Sequence, residues 1–495
     1  LLQSNQFDTT WSALNTTLAG GQAGYDGSTN AWKITAVGTG GGRKVQQQIS
    51  TSGVISFSVY AKAGTANYIA LECGGTGGFY EYFSLVDGTD GAGLGNIDVN
   101  AEDVGNDWWR FTIVGNPSSL SSVNIFASNT NNATDISDGQ YIYIQDAQVN
   151  QGLIAQEVLT TTTAAVYGGI TDNTPRLDYT DSSCPALLLE PSRTNNNNQS
   201  EYFGAWSANA TITANADISP EGVRNAYNIA SNSGVGNGIL KIIGVLSSTQ
   251  YVCSIYVKSA GATTGKLRLF DGSTGASTTT TFTPTSEWQR VEVTRTSGSS
   301  TFQFRIDIHS NDGDLLIYGA QLEAGSYATS YIPTYGSSVS RVVDACLGAG
   351  DASTFNSTEG VLFWEGSFDS TSTTAGAIAI IGSGSNRVQL YNSGTSLVVL
   401  IQVDGVSVFG ASTSGTIDIT SNHKYAVKWG LNDFAFWIDG VEYSTNTSGA
   451  TFSNNTLNEL RFSDLYTNYL YANTKQVLTF NTALSNEELA ALTTI

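Results

Sequence analysis

Ser58-Val59-Tyr60-Ala61-Lys62 and Ser254-Ile255-Tyr256-Val257-Lys258 are two versions of one five-residue pattern, offset by 256 − 60 = 196 positions. Each alternates small or polar residues with apolar ones, the period-two signature of a half-buried strand. The match continues outward on both sides. Upstream, Phe7-Asp8-Thr9-Thr10-Trp11-Ser12 resembles Tyr202-Phe203-Gly204-Ala205-Trp206-Ser207. Asp26-Gly27 before Trp32-Lys33-Ile34 resembles Glu221-Gly222 before Tyr227-Asn228-Ile229. Downstream, Trp108-Trp109-Arg110 resembles Trp288-Gln289-Arg290, and Ile144-Gln145-Asp146-Ala147-Gln148-Val149 resembles Ile317-Tyr318-Gly319-Ala320-Gln321-Leu322. Landmarks recurring in one order define an internal repeat.

The two copies differ in length. The offset falls to 288 − 108 = 180 at the tryptophan, so the first copy carries 196 − 180 = 16 extra residues before it. These are placed around Gly74–Tyr82 and the Asp-Gly turns after it. At the glutamine the offset is 321 − 148 = 173, which puts a further 180 − 173 = 7 near Asn129–Asp138. Aromatics kept in both copies (Trp11, Trp206, Trp108, Trp288, Tyr60 and Tyr256) are best explained as scaffold. Phe79, Tyr80 and Tyr82, in the inserted loop, and Trp109, which corresponds to Gln289 in the other copy, are the candidates for function.

The same alternation runs through the rest of the chain. Phe302, Phe304, Ile306 and Ile308 alternate with Gln303, Arg305 and Asp307, and Tyr425, Val427 and Trp429 with Ala426 and Lys428. Turns such as Asp87-Gly88, Asp271-Gly272, Asp404-Gly405 and Asp439-Gly440 punctuate the strands. One segment departs from this period. Ser485 followed by Glu488 is a capping box, and Leu489 with Leu492 gives a short apolar helix face expected to dock on the last domain. The expected fold is all-β: two tandem jelly-roll β-sandwiches over 1–160 and 199–345, and a different sandwich over 346–495. An extended linker, 161–198, packs on the modules, and its Asn195–Asn198 tract forms a polar hinge.

Charge narrows the partners. Charged residues make up only 13% of the chain and the formal net charge is −21, with no basic cluster in sequence. Nucleic-acid backbones need Lys and Arg to displace counterions, so nucleic acid is excluded as a partner. An anionic membrane surface is unsupported for the same reason. The absence of any run of about 20 apolar residues argues against a membrane-inserted helix. The chain begins Leu1-Leu2-Gln3 and contains no Met, which suggests an internal fragment or a processed product.

The four cysteines (Cys73, Cys184, Cys253 and Cys346) show no CxxC spacing and are expected to be small buried hydrophobes; a Cys184–Cys346 bridge is not readable from sequence. The two histidines, His309 and His423, fall in different domains, which disfavours a histidine metal site. No cofactor is indicated. Calcium is the one metal the sequence suggests, at the tight turn Asn311-Asp312-Gly313-Asp314, with Asn311, Asp312 and Asp314 as ligands; an ordinary turn is the competing reading.

The strand Glu359–Glu365, the turn strand Ile438-Asp439-Gly440-Val441 and the closing "ALSNEELAAL" resemble a concanavalin A-like lectin/glucanase (laminin-G-like) domain over about 355–495. The repeated modules resemble carbohydrate-binding-module-type jelly rolls. "CPALLLEPSRTN" (Cys184–Asn195) and "YGAQLEAGSYATSYIPT" (Tyr318–Thr334) resemble segments of bacteriophage tail-fibre and other virion proteins. That resemblance implies a virion surface protein, commonly a homotrimer, that contacts other virion proteins and a host-surface glycan or receptor.

Glucanases of this fold carry E-x-D-x-x-E on one strand. Glu365-Gly366-Ser367-Phe368-Asp369 has the wrong spacing and no third acid, so a non-catalytic role is expected. Sugars stack C–H faces on aromatic rings and hydrogen-bond to Asn, Asp and Gln. The glycan-binding candidates are therefore Phe79, Tyr80, Tyr82 and Trp109 in the first module, and Asn432, Trp437, Asp464, Tyr466 and Tyr469 in the third domain. Two alternatives remain open: a secreted polysaccharide-binding protein or ancillary part of a glycan-degrading enzyme, and a purely structural decoration protein.

Overall fold

The computed structural model describes all residues except 39–41, 135, 165, 167–174, 181, 232–237, 309–311, 370–375 and 465–467. The chain divides into two compact units: Leu1–Gly169 with Thr194–Ser340, and Ile170–Arg193 with Arg341–Ile495.

The first unit holds both repeats, each a sandwich of two antiparallel sheets. In the first module, one sheet runs in the order Ser12–Leu14, Lys44–Thr51, Ser119–Ser128, Tyr68–Thr76, Phe79–Ser84, Asp90–Leu94. The other runs Thr16–Gln22, Ala31–Ala36, Tyr141–Gln151, Ile55–Ala63, Trp108–Gly115, Asp98–Gly105. The second module repeats this order. Its sheets are Ser207–Ala208, Gly238–Gly244, Thr301–Ile308, Gly265–Phe270, Ser277–Phe282, and Thr211–Asp217, Ala226–Ala230, Asp314–Ala324, Gln250–Ala260, Gln289–Thr296. The jelly-roll expectation holds strand for strand. Only the first module adds Asp90–Leu94 and Asp98–Gly105, one to the edge of each sheet. The longer insertion thus lies after Tyr82. Phe79, Tyr80 and Tyr82 sit on a strand whose counterpart is Ser277–Phe282, not in an inserted loop.

Alternation builds each core. Phe57, Val59, Leu71, Phe83, Phe111 and Ile125 fill the first sandwich. Ile255, Val257, Leu267, Phe302, Phe304 and Ile317 fill the second. Trp11 and Trp206 take matching places in the two cores. Val54, Val114 and Leu153 of the first module belong to the second module's buried cluster, so the two modules share apolar surface. At this junction a Cβ on Gly53, whose φ is +85°, would stand 1.9 Å from the Tyr335 carbonyl oxygen.

The Asn195–Asn198 tract is a fixed strap, not a hinge. Asn195 and Asn197 are fully buried. Asn195 Nδ2 donates to the Ile332 carbonyl (2.8 Å), Asn197 Nδ2 to the Ala320 carbonyl (3.0 Å), and Thr334 Oγ1 to the Asn197 carbonyl (2.6 Å). Buried Gln321 and Glu323 close the same network, accepting from the Ile332 and Thr329 amides at 2.7 and 2.9 Å. A buried amide side chain must find such partners, and here the protein supplies them.

The second unit is a concanavalin A-like sandwich. A seven-stranded sheet (Leu177–Asp178, Ala186–Leu189, Ala472–Phe480, Gly360–Phe368, His423–Trp429, Phe434–Ile438, Val441–Asn446) faces a five-stranded one (Val406–Ser412, Ser396–Val403, Asn386–Ser393, Ala377–Ser383, Glu459–Arg461). Much of the linker is therefore part of this unit: Ala186–Leu189 pairs with the Ala472–Phe480 strand. Beside it, buried Glu190 pairs with Arg176 at 2.8 Å and Arg341 at 3.0 Å, and Arg176 also pairs with Asp344. The C-terminal helix Asn486–Thr493 has the expected capping box, and Leu489 docks it on the outer side of the seven-stranded sheet against Val361, Phe363 and Trp437.

Candidate functional site

The first module's Lys44–Leu94 sheet has an outer face unlike its apolar inner one. Strand register places Gln46, Asn124, Glu72 and Tyr80 in one cross-strand row and Lys44, Phe126, Ala70 and Tyr82 in the next. Side chains opposite one another on one face are in contact range. Asn124 links its neighbours: its Oδ1 accepts from Lys44 Nζ at 3.0 Å, and its Nδ2 donates to Glu72 Oε2 at 2.9 Å. The Tyr80 and Tyr82 rings meet edge to face with centroids 6.0 Å apart, and Lys44 Nζ lies 5.5 Å from the Phe126 centroid. Tyr80 is half-buried, while Tyr82 and Phe126 are each only 8% exposed. Burial, then the neighbouring Tyr80, pushes the Tyr82 hydroxyl above the usual phenol range, so it stays a neutral donor and acceptor.

Both insertions specific to this module meet at the edge of that face. The added strand Asp90–Leu94 pairs with the Tyr80 strand, with Leu94 opposite Tyr80. The Ala92 amide donates to the Asn131 carbonyl at 2.8 Å, which ties in the second insertion. The leaner second module has neither addition.

The candidates from sequence separate accordingly. Tyr80 and Tyr82 lie on the face. Phe79 does not: one step along the strand it points inward and is 1% exposed in the core. Trp109 belongs to the opposite sheet, packs on the core beside Phe111 and sits against Gly88. Sequence reading missed Lys44, Glu72, Asn124 and Phe126. They are the residues that alternate with the core positions Val45, Leu71 and Ile125, and they could have been found from that alternation.

Of the described third-domain candidates, only Asp464 and Tyr469 lie in one turn. Trp437 is 7% exposed under the C-terminal helix, as the docking of Leu489 requires. Asn432, at φ +58°, is tied to a second loop, its Oδ1 accepting from the Gly449 amide at 3.0 Å. Asp464 accepts from the Asn468 amide at 2.8 Å inside the turn that also carries Tyr469. Tyr466 lies outside the described residues.

The two described aspartates of the candidate calcium turn are engaged by protein donors. Asp312 accepts from the Thr264 amide at 2.8 Å and from Thr263 Oγ1 at 2.5 Å. Asp314 accepts from Asn228 Nδ2 and from the Ser231 amide, both at 2.9 Å. Their oxygens anchor loops by taking N–H and O–H donors. Asn311 and His309 lie outside the described residues. Among the described residues no group of three or more His, Cys, Asp or Glu is placed to hold a metal. All four cysteines are free thiols, Cys73 and Cys253 at buried core positions.

Two buried carboxyls are strongly perturbed. Asp369 is pushed up to about 7 by burial and then by the charge of Glu190. Glu201 in the second module is likewise raised to about 7, by burial and then by Glu221. Its Oε1 accepts from the hydroxyls of Tyr331, Tyr335 and Tyr318 at 3.1, 3.1 and 3.3 Å.

No family model matches the chain, and no curated protein matches it. Among solved structures it is similar to the N-terminal CBM22-1–CBM22-2 tandem domain of Paenibacillus barcinonensis Xyn10C, at 13% identity over 64% of this chain and 94% of that one, with a TM-score of 0.22. It is also similar to domain 4 of AbnA, a GH43 extracellular arabinanase from Geobacillus stearothermophilus in complex with arabinotriose, at 13% identity over 34% and 82%, TM-score 0.26. A third is domains LG4-5 of the mouse laminin α1 chain, at 10% identity over 52% and 93%, TM-score 0.20. At such low identities and scores these likenesses carry no argument about function, and the fold is read from the strand order itself.

Proposed function

We propose that the chain is a non-catalytic glycan-binding protein that presents the outer sheet face of its first module to a cell-surface glycan. One observation carries this reading: Tyr80, Tyr82 and Phe126 lie beside the hydrogen-bonded set Lys44–Asn124–Glu72, and the two insertions unique to this module meet at the edge of that face. Aromatic rings next to fixed donors and acceptors are the chemistry a sugar ring requires. The virion-like segments Cys184–Asn195 and Tyr318–Thr334 support a bacteriophage tail fibre or appendage as its setting, with a homotrimeric assembly and other virion proteins as partners.

The test is a glycan array followed by calorimetry on the best ligand. Tyr80→Ala and Glu72→Gln should each weaken binding about tenfold or more, since losing a stacked ring or a charge-assisted hydrogen bond costs about 1.4 kcal/mol or more. Melting temperature should be unchanged, because both residues are half-buried on an outer face. No binding anywhere on the array, or binding indifferent to both changes, sinks the reading. A monomeric mass by light scattering would count against the fibre assignment.

A further inference from the structure

The same sheet face in the second module has a different chemistry. Register defines three rows across its Gly238–Gly244, Thr301–Ile308, Gly265–Phe270 and Ser277–Phe282 strands. They are Gly238, Asp307, Lys266 and Thr281; Leu240, Arg305, Arg268 and Thr279; and Ile242, Gln303, Phe270 and Ser277. Three cations and a single carboxylate thus share the face, in a chain whose formal net charge is −21.

The arrangement is costly for the free protein. Arg268 and Arg305 are directly opposed cross-strand partners, and like charges in that position destabilise a sheet. One carboxylate serves all three cations: Asp307 accepts Arg268 Nη2 at 3.3 Å and also feels the charges of Arg305 and Lys266. Arg305 is half-buried and makes no side-chain hydrogen bond among the described residues, and it shares the charge of Asp307 with Arg268 and Lys266. Beside Arg305 and Asp307 a shallow concavity opens, bordered by Ser207, Asn209, Gly238 and Leu240. Lys266 and Ile242 are exposed at the other margins.

We propose that this face is a second binding site, specific for an acidic polysaccharide, whose carboxylate or sulfate groups dock on Arg305, Arg268 and Lys266. The guanidinium fork matches the paired oxygens of either group. Phe270, in the adjoining row, offers an apolar surface for a sugar ring. The two repeats then divide the work: the first face takes a neutral glycan through aromatics, the second takes charge. The second site depends on neither the first face nor the virion setting.

The test uses the full chain with three probes at low and physiological salt: polygalacturonate, dextran sulfate and neutral dextran. Binding to one or both polyanions and none to neutral dextran is expected, and which polyanion binds tells carboxylate from sulfate. Raising the salt should weaken the interaction. Arg305→Gln and Arg268→Gln should each reduce affinity about tenfold. Tyr80→Ala should leave it unchanged, which keeps the failure of one face distinct from failure of the other. A structural readout guards against misfolding: Arg305→Gln should melt no lower than the parent, because it relieves the opposed pair. No polyanion binding at low salt, or binding untouched by the double Arg268→Gln/Arg305→Gln variant, overturns the proposal.

Discussion

Glu201→Gln tests how the second module tolerates a carboxylate with almost no access to water. Glu201 is 2% exposed, and three tyrosine hydroxyls converge on one of its oxygens. Burial, then Glu221, raises it from 4.5 to about 7. Between those values the folded chain holds a proton that the unfolded chain has released. Stability from this group is therefore fully present below about pH 4.5 and is lost as pH rises through 7. A rise from 4.5 to about 7, at about 1.4 kcal/mol for each pH unit, amounts to about 3.5 kcal/mol in full, of which about 3 kcal/mol falls between pH 4.5 and 8. Gln keeps an oxygen for the tyrosines and is neutral at every pH, so it mimics the protonated acid. Urea unfolding of parent and variant from pH 4.5 to pH 8 should show the parent losing about 3 kcal/mol more than the variant. Asp146 and Asp307, raised chiefly by burial, bias both proteins in the same direction and cancel in the difference. Two parallel stability curves would refute the reasoning, as would a variant that is the weaker of the two at pH 8.

Two further substitutions probe the scaffold. Gly53→Ala should cost about 2 kcal/mol or more, since it combines left-handed strain with overlap against the Tyr335 carbonyl, whereas Gly21→Ala, at φ +76° with open space around it, should cost only about 1 kcal/mol. Comparing the two melting temperatures checks this, and equal losses would remove the module junction as the cause. Leu489→Ala should cost about 2–5 kcal/mol, because an eight-residue helix depends on its docking rather than on its own propensity. Trp437 should then emit at longer wavelength as water reaches it; an unshifted spectrum would mean that the helix is not what covers it.

The repeat made the fold legible because jelly-roll specification is local. Alternating residues and Asp-Gly turns fix strands, and two copies in one order fix the topology. The capping box was equally legible, since Ser485 and Glu488 need only each other. The site was harder. Phe79 and Tyr82 both lie near a glycine-rich stretch, and composition treats them alike. A strand assigns them to opposite faces, and only register says which faces the core. The Asn195–Asn198 tract misled for the converse reason. Four consecutive asparagines suggest solvent, yet their partners, Ala320, Ile332 and Thr334, lie more than a hundred residues away and cannot be seen locally.

The segments that most resemble virion proteins prove to be structural. Tyr318–Thr334 supplies the buried Gln321–Glu323 network that clamps the asparagine strap. Cys184–Asn195 contributes the strand Ala186–Leu189, paired on both sides, and the buried Glu190 with its two arginines. Buried polar networks of this kind tolerate little change, because losing one partner strands the others. Such segments can therefore stay recognisable while the faces they support diverge. That is the pattern in this chain: the two modules agree in strand order, and the same outer face carries Tyr80, Tyr82 and Glu72 in one and Arg268, Arg305 and Lys266 in the other. The resemblance in these segments reflects the scaffold they hold together. The binding proposed for each module rests on the alternate residues of a sheet face, and those must be read from register.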